Sequence, residues 1–194
     1  MKIYLLSATL AVYTLSFASP YSGNPTSSEK NPGDSLLSKI PSTTEMLSEI
    51  VATLGLQQNF ELKEAKVANI EASISHRKRY ILYNPKYIKW INGETKSKWA
   101  AMALLAHEIG HHLNGHTIRR SGSRPDLELE ADEFAGFVLK KMGASLSEAQ
   151  QVMKYIAKSK GSKTHPARAL RMSAIKKGWN RAADTGESVL AAKK

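Results

Sequence analysis

Trp99-Ala100-Ala101-Met102-Ala103-Leu104-Leu105-Ala106-His107-Glu108-Ile109-Gly110-His111-His112-Leu113 decides the reading of this chain. Trp99, Met102, Ala103, Leu105, Ala106, Ile109 and Leu113 recur at helical spacing, which predicts a helix from Ser97 to about His116 with a broad apolar face. Within it, His107-Glu108-Ile109-Gly110-His111 has the form H-E-x-x-H. Helical residues four apart differ by about 40° around the axis and about 6 Å along it. Both imidazoles therefore leave one face and can grip one ion, and Glu108 projects beside them as a general base. Zinc suits such a site: it accepts histidine nitrogen at about 2.0–2.1 Å and keeps one open position when catalytic.

A third ligand has to come from elsewhere. The pattern that puts a glycine three residues and a histidine six residues after the second histidine meets Asn114 and Thr117 here. On a continuous helix His116 turns to the far side, so neither His112 nor His116 shares the ligand face and both read as structural or surface histidines. The following segment offers Glu128-Leu129-Glu130-Ala131-Asp132. Glu128 and Asp132 are four apart on one helical face, so one can ligate while the other orients a ligand histidine. Glu130 points elsewhere and is the reserve candidate.

Outward from this centre the chain alternates between order and punctuation. Residues 36–56 predict a helix around Met46, Leu47, Ile50, Val51 and Leu54, limited by Pro41 and Gly55. From 63 to 83, β-branched and aromatic residues flank His76-Arg77-Lys78, which predicts a two-stranded hairpin ended by Asn84-Pro85. After the loop 121–125, Asp126 is expected to cap a helix running to Met142 and stopping at Gly143. Ser145 is expected to cap a helix over 146–157, and Pro166 to open a last helix reaching about Lys177. The fold expected is α+β, mainly helical, with a short β-hairpin beside the H-E-x-x-H helix.

Both ends read differently. Residues 1–18 have the form of a secretory signal: Lys2, an apolar run, then Ser16-Phe17-Ala18. Periplasmic or extracellular export is therefore expected, in preference to an uncleaved N-terminal anchor. Residues 19–35 read as a flexible spacer, 36–180 as the folded domain and 181–194 as a basic flexible tail. The chain has no cysteine, which excludes disulfides, cysteine-ligated zinc and cysteine nucleophiles. Of the net charge of +11, +10 falls within residues 140–194. Solvated helix faces, or a weak contact with an anionic envelope surface, account for this basic third; nucleic acid is not expected as a partner.

Taken together, His107-Glu108-x-x-His111, Glu128-x-x-Ala131-Asp132 and Thr164-His165-Pro166-x-x-x-x-Arg171 resemble gluzincin metallopeptidases of the CAAX prenyl protease, HtpX and BepA type over residues 69–175. The resemblance implies a zincin-like domain holding one zinc ion through His107, His111 and Glu128. It makes Glu108 the catalytic glutamate, and Asp132 a residue that supports the ligands. His165 would lie near the metal, blocking its open position or polarising the substrate, and Arg171 would neutralise charge nearby. The hairpin corresponds to a strand on which an extended polypeptide docks, although Ile70 follows Asn69 where Asn-Ala is usual. The activity implied is hydrolysis of unfolded or extended polypeptides, as in envelope protein quality control. Two other functions fit the same residues: a zinc-stabilised binding or chaperone-like module with a latent site, and a binder of anionic polymers with a structural metal.

Overall fold

The computed structural model describes residues 12–14, 40–118 and 124–191, and of 12–14 and 183–191 the backbone only. The rest of the expected signal segment 1–18 and the spacer 19–35 lie outside the described residues. The architecture is α+β and mainly helical. Strand β1 (Val12–Thr14) is followed by α1 (Thr43–Thr53), β2 (Glu61–Glu64), β3 (Ile70–Ser75) and β4 (Lys78–Tyr83). Helices α2 (Pro85–Thr95), α3 (Trp99–Leu113), α4 (Pro125–Lys141), α5 (Leu146–Gln151), α6 (Met153–Ile156) and α7 (Arg168–Ala191) complete the chain, with a 3₁₀ turn at His116–Ile118.

The hairpin β3–β4 is present, closed by His76 and Arg77, both at positive φ (48° and 65°). That is the twist a two-residue connection needs to match right-handed strands. The sheet is wider than the sequence reading anticipates. Its order is β1-β3-β4-β2, with β2 parallel to β4 and β1 antiparallel to β3. These flanking strands are only three and four residues long, too short for an alternation to register. Directly opposed residues share a face, so the pairs Ile70↔Tyr83 and Ala72↔Ile81 define the core side, and all four are buried.

Helix α3 lies at the centre, and every residue from Ala100 to His112 is buried. A helix covered all round is an interior element rather than an amphipathic surface one, which exceeds the single apolar face read from spacing. It ends at Leu113, three residues short of His116. Asn84-Pro85 ends the hairpin but also starts α2, a helix absent from the sequence reading: Asn84 accepts from the Lys86 N–H and Pro85 occupies the first turn. Helix α1 is shorter than expected because the capping box of Ser42 and Glu45 fixes its start. In α4 the cap position belongs to Arg124, with Pro125 and Asp126 in the first turn. Ser145 does cap α5, but the helix breaks before Met153 and resumes as α6.

The largest departure is at the C-terminus. Helix α7 begins at Arg168 and continues to Ala191, through most of the segment expected to be a flexible tail. Packing against α4 supplies what local propensity does not. A Cβ on Gly178 would stand 1.7 Å from the Glu133 carbonyl oxygen, and one on Gly136 would stand 2.0 Å from that of Ile175. The two helices therefore touch backbone to backbone. Among the described residues no helix is long and apolar enough to cross a membrane.

Because neither contact can absorb a methyl group, Gly178→Ala is expected to destabilise the protein by about 3 kcal/mol, at the upper end of overpacking costs. Urea unfolding measures this; an unchanged midpoint would mean that α4 and α7 do not pack this closely.

Candidate metal centre

Helices α3 and α4 bring His107, His111 and Glu128 together, all buried and with their ligand atoms within 4.8 Å of one another. His107 Nε2 lies 3.0 Å from His111 Nε2. Glu128 Oε2 is 3.5 Å from the first and Oε1 is 3.6 Å from the second. Ligands of a tetrahedral ion with bonds near 2.05 Å are separated by about 3.3 Å, so this triangle has the size such an ion requires. The group could hold a metal ion.

Hydrogen bonds behind the two histidines decide how they face it. His107 Nδ1 is 2.9 Å from Asp132 Oδ1. The carboxylate can only accept, so Nδ1 carries the proton and the Nε2 lone pair points into the triangle. His111 is set by a longer chain. Glu130 Oε2 accepts from His116 Nε2 at 2.9 Å, which leaves His116 Nδ1 to accept from His111 Nδ1, also at 2.9 Å. His111 thereby presents its own Nε2. Two nitrogen lone pairs opposed at this distance need a cation between them, either a proton or a metal.

The sequence reading sent His116 to the far side of the helix, because it continued the helix that far. Instead α3 stops at Leu113, Gly115 takes a left-handed turn with φ of 71°, and the chain folds His116 back against His111. A histidine close behind a glycine at a helix end is the signal that could have revealed it. Glu130, the reserve ligand, is half-exposed and partners His116 rather than joining the triangle. His112 serves the fold instead. Its Nε2 lies 2.9 Å from the Tyr80 carbonyl and its ring stacks on Phe60, tying α3 to the sheet.

Arg171 lies where it neutralises charge at the centre, through Asp132. Its Nε and Nη2 each donate to Asp132 at 2.7 Å, in a buried bidentate pair. It therefore acts on the centre through Asp132 and His107, as a positioning residue. His165, on the polar connection before α7, places Nε2 4.0 Å from Glu128 Oε2, while its Nδ1 meets Thr164 Oγ1 at 2.8 Å. It stands beside the ligand triangle but outside it.

Glu108 is fully buried. Its Oε2 accepts from the Ala72 N–H of β3 at 2.6 Å, and Oε1 has no partner among the described residues. Burial pushes its carboxyl up to about 8, helped by the charges of Glu128 and Glu71 and opposed by His107 and the Ala72 N–H. Burial alone would depress His107, but hydrogen bonds and charge from Asp132 and Glu128 raise it to about 9. Burial and the neighbouring His107 hold His111 well below the ordinary histidine range. Burial would lift Glu128, yet its hydrogen bond and charge interaction with His107 keep it well below the usual carboxylate range. Without a metal, a proton on His107 thus sits where the ion would sit. No family model, characterised protein or solved structure matches the chain.

Two outcomes follow for the isolated protein. His116→Ala is expected to weaken zinc binding about 10–100-fold, as loss of a group orienting a ligand does; equilibrium dialysis measures it, and unchanged affinity would mean His111 needs no support. In a chelator, stability should fall as pH rises from about 7 to 9. Over that window the unfolded Glu108 carboxyl is ionised while the native one keeps its proton up to about 8, and the native His107 keeps its proton up to about 9. Glu128 is ionised in both states there, and His111, His112 and His165, held below the ordinary histidine range, are neutral in both; below about 6.5 these three contribute the opposite slope. The urea midpoint should therefore decline from about pH 7 to 9, and Glu108→Gln should remove the part of that decline below about 8.

Proposed function

We propose that the protein is an exported zinc-dependent metalloendopeptidase that cleaves extended or unfolded polypeptides, related to the gluzincins. One observation carries the reading: a buried two-histidine, one-carboxylate triangle adjoins a second buried carboxylate, Glu108, that has one oxygen without a partner and the other on a sheet edge. A structural metal site has no use for that glutamate. Burying a carboxylate is costly, and the work of a general base poised near neutral pH justifies it.

His107, His111 and Glu128 would hold one zinc ion, a metal that this ligand set suits. When bound, zinc lowers the pKa of water to roughly 7 and polarises a carbonyl oxygen. Glu108 takes a proton from the attacking water through Oε1 and returns it to the departing amine nitrogen. Its other oxygen, anchored on Ala72, fixes that trajectory. Asp132 and Arg171 keep His107 in the required tautomer and orientation. We assign His165 to the substrate carbonyl, since it flanks Glu128 without entering the triangle. The substrate backbone would lie along the β3 edge as an added strand. The basic C-terminal third contributes no residue to the ligand triangle except through Arg171, and a weak contact with an anionic envelope surface remains its proposed use.

The zinc-loaded chain should digest denatured casein, and Glu108→Gln should slow digestion about 10²–10⁴-fold with zinc still bound. Gel or mass-spectrometric analysis of the products decides the matter. Intact casein beside a chain shown by dialysis to hold one zinc would remove the peptidase reading and leave a binding module.

A further inference from the structure

The β3 edge carries a second buried acid close to Glu108. The Asn84 N–H donates to the Asn69 carbonyl at 2.7 Å, which turns the backbone groups of Asn69 toward β4. By alternation those of Glu71 and Ser73 also turn to β4, and those of Ile70, Ala72 and Ile74 point to the outer edge. The Ala72 N–H, directed at Glu108, agrees with this. Val12–Thr14 run antiparallel along the same edge, with Tyr13 opposite Ala72 and Thr14 opposite Glu71. Glu71 and Thr14 therefore stand opposite one another as a non-hydrogen-bonded backbone pair, about 4.5 Å between Cα atoms.

Glu71 is only 5 % exposed. Its carboxylate has no hydrogen bond or ion pair among the described residues, and burial raises its pKa. Its charge also reaches Glu108. Its oxygens are not fully enclosed and keep a little water, which a residue docked opposite it would displace at a cost. A lysine or arginine in that place would supply the missing partner. An apolar residue would leave the cost standing, and an acid would add repulsion.

We propose that Glu71 is the specificity determinant of the docking edge, selecting extended polypeptides that place a lysine or arginine opposite it, one residue from the position that faces Ala72. This rests on the peptidase reading for its catalytic meaning, though not for binding itself. The chain's own Val12–Thr14 displays the backbone arrangement such a peptide would take, antiparallel to β3.

Val12–Thr14 occupy this edge but fall within the segment 1–18 that export is expected to remove, so the test uses the mature chain from residue 19 carrying Glu108→Gln, which prevents turnover. Two labelled extended peptides, identical except for a central lysine or glutamate, are titrated with zinc present, and binding is read by fluorescence anisotropy. The lysine peptide should bind at least about tenfold more tightly. Glu71→Gln should bring the ratio near one, and Glu71→Lys should invert it. Glu71→Gln removes a buried charge and should leave the thermal midpoint unchanged or higher, so a loss of preference cannot be assigned to unfolding. Equal affinity for the two peptides, a preference surviving Glu71→Gln, or binding of neither peptide overturns the assignment. Casein digestion by wild type separates the two ideas. A lysine preference without digestion keeps Glu71 as a binding determinant and removes the peptidase; digestion with no cation at a fixed distance from the cuts does the reverse.

Discussion

Asp132 is the group on which the centre depends. One buried carboxylate accepts from His107 and, twice, from Arg171. It thereby joins α3, α4 and α7 and fixes the tautomer of a ligand histidine. Its two neighbours could not be buried without it: an unpaired interior guanidinium or carboxylate costs about 3–5 kcal/mol when its partner is removed. The rest of the centre inherits its geometry from this junction. His107 sets one corner of the triangle, Glu128 stands one helical turn before Asp132, and His111 completes the group with support from His116 and Glu130.

The same clustering explains the electrostatics. Four acids and three histidines crowd a dry region between α3, α4 and β3, and their shifts are mutual. Glu128 stays ionised because His107 holds a proton; His111 stays neutral because it is buried and His107 is charged beside it. Glu108 moves upward because its burial outweighs the charge of His107. Two glutamates at one centre thus differ widely in basicity: the ionised one is suited to ligate, the elevated one to exchange a proton.

Much of this was legible in the sequence because it follows from helical spacing. His107 and His111 share a face by geometry alone, and Glu128 with Asp132 does so on the next helix. The hairpin was legible from its β-branched and aromatic residues. What could not be read depended on where chains stop or on what packs against them. His116 required knowing that α3 ends at Leu113, since two further residues of helix would have pointed it away. Helix α2 was hidden because Asn84-Pro85 serves equally as a strand terminator and a helix start. The extent of α7 was hidden because residues 181–191 are held in a helix that begins against α4 rather than by their own composition. Short strands β1 and β2 gave too few residues for any periodic signal.

The backbone contact between α4 and α7 also separates two histories within one helix. Side chains that mesh can be exchanged in compensating pairs, but a contact between a glycine and a carbonyl oxygen has no such alternatives. The inner stripe of α7, with Arg171 about one turn from Ile175 and about two from Gly178, is therefore fixed as a ruler is fixed, by its spacing. The outward stripe, with Lys176, answers to no such measure. The surface charge of this helix can drift toward whatever environment the protein inhabits while the distance from guanidinium to carboxylate inside stays the same.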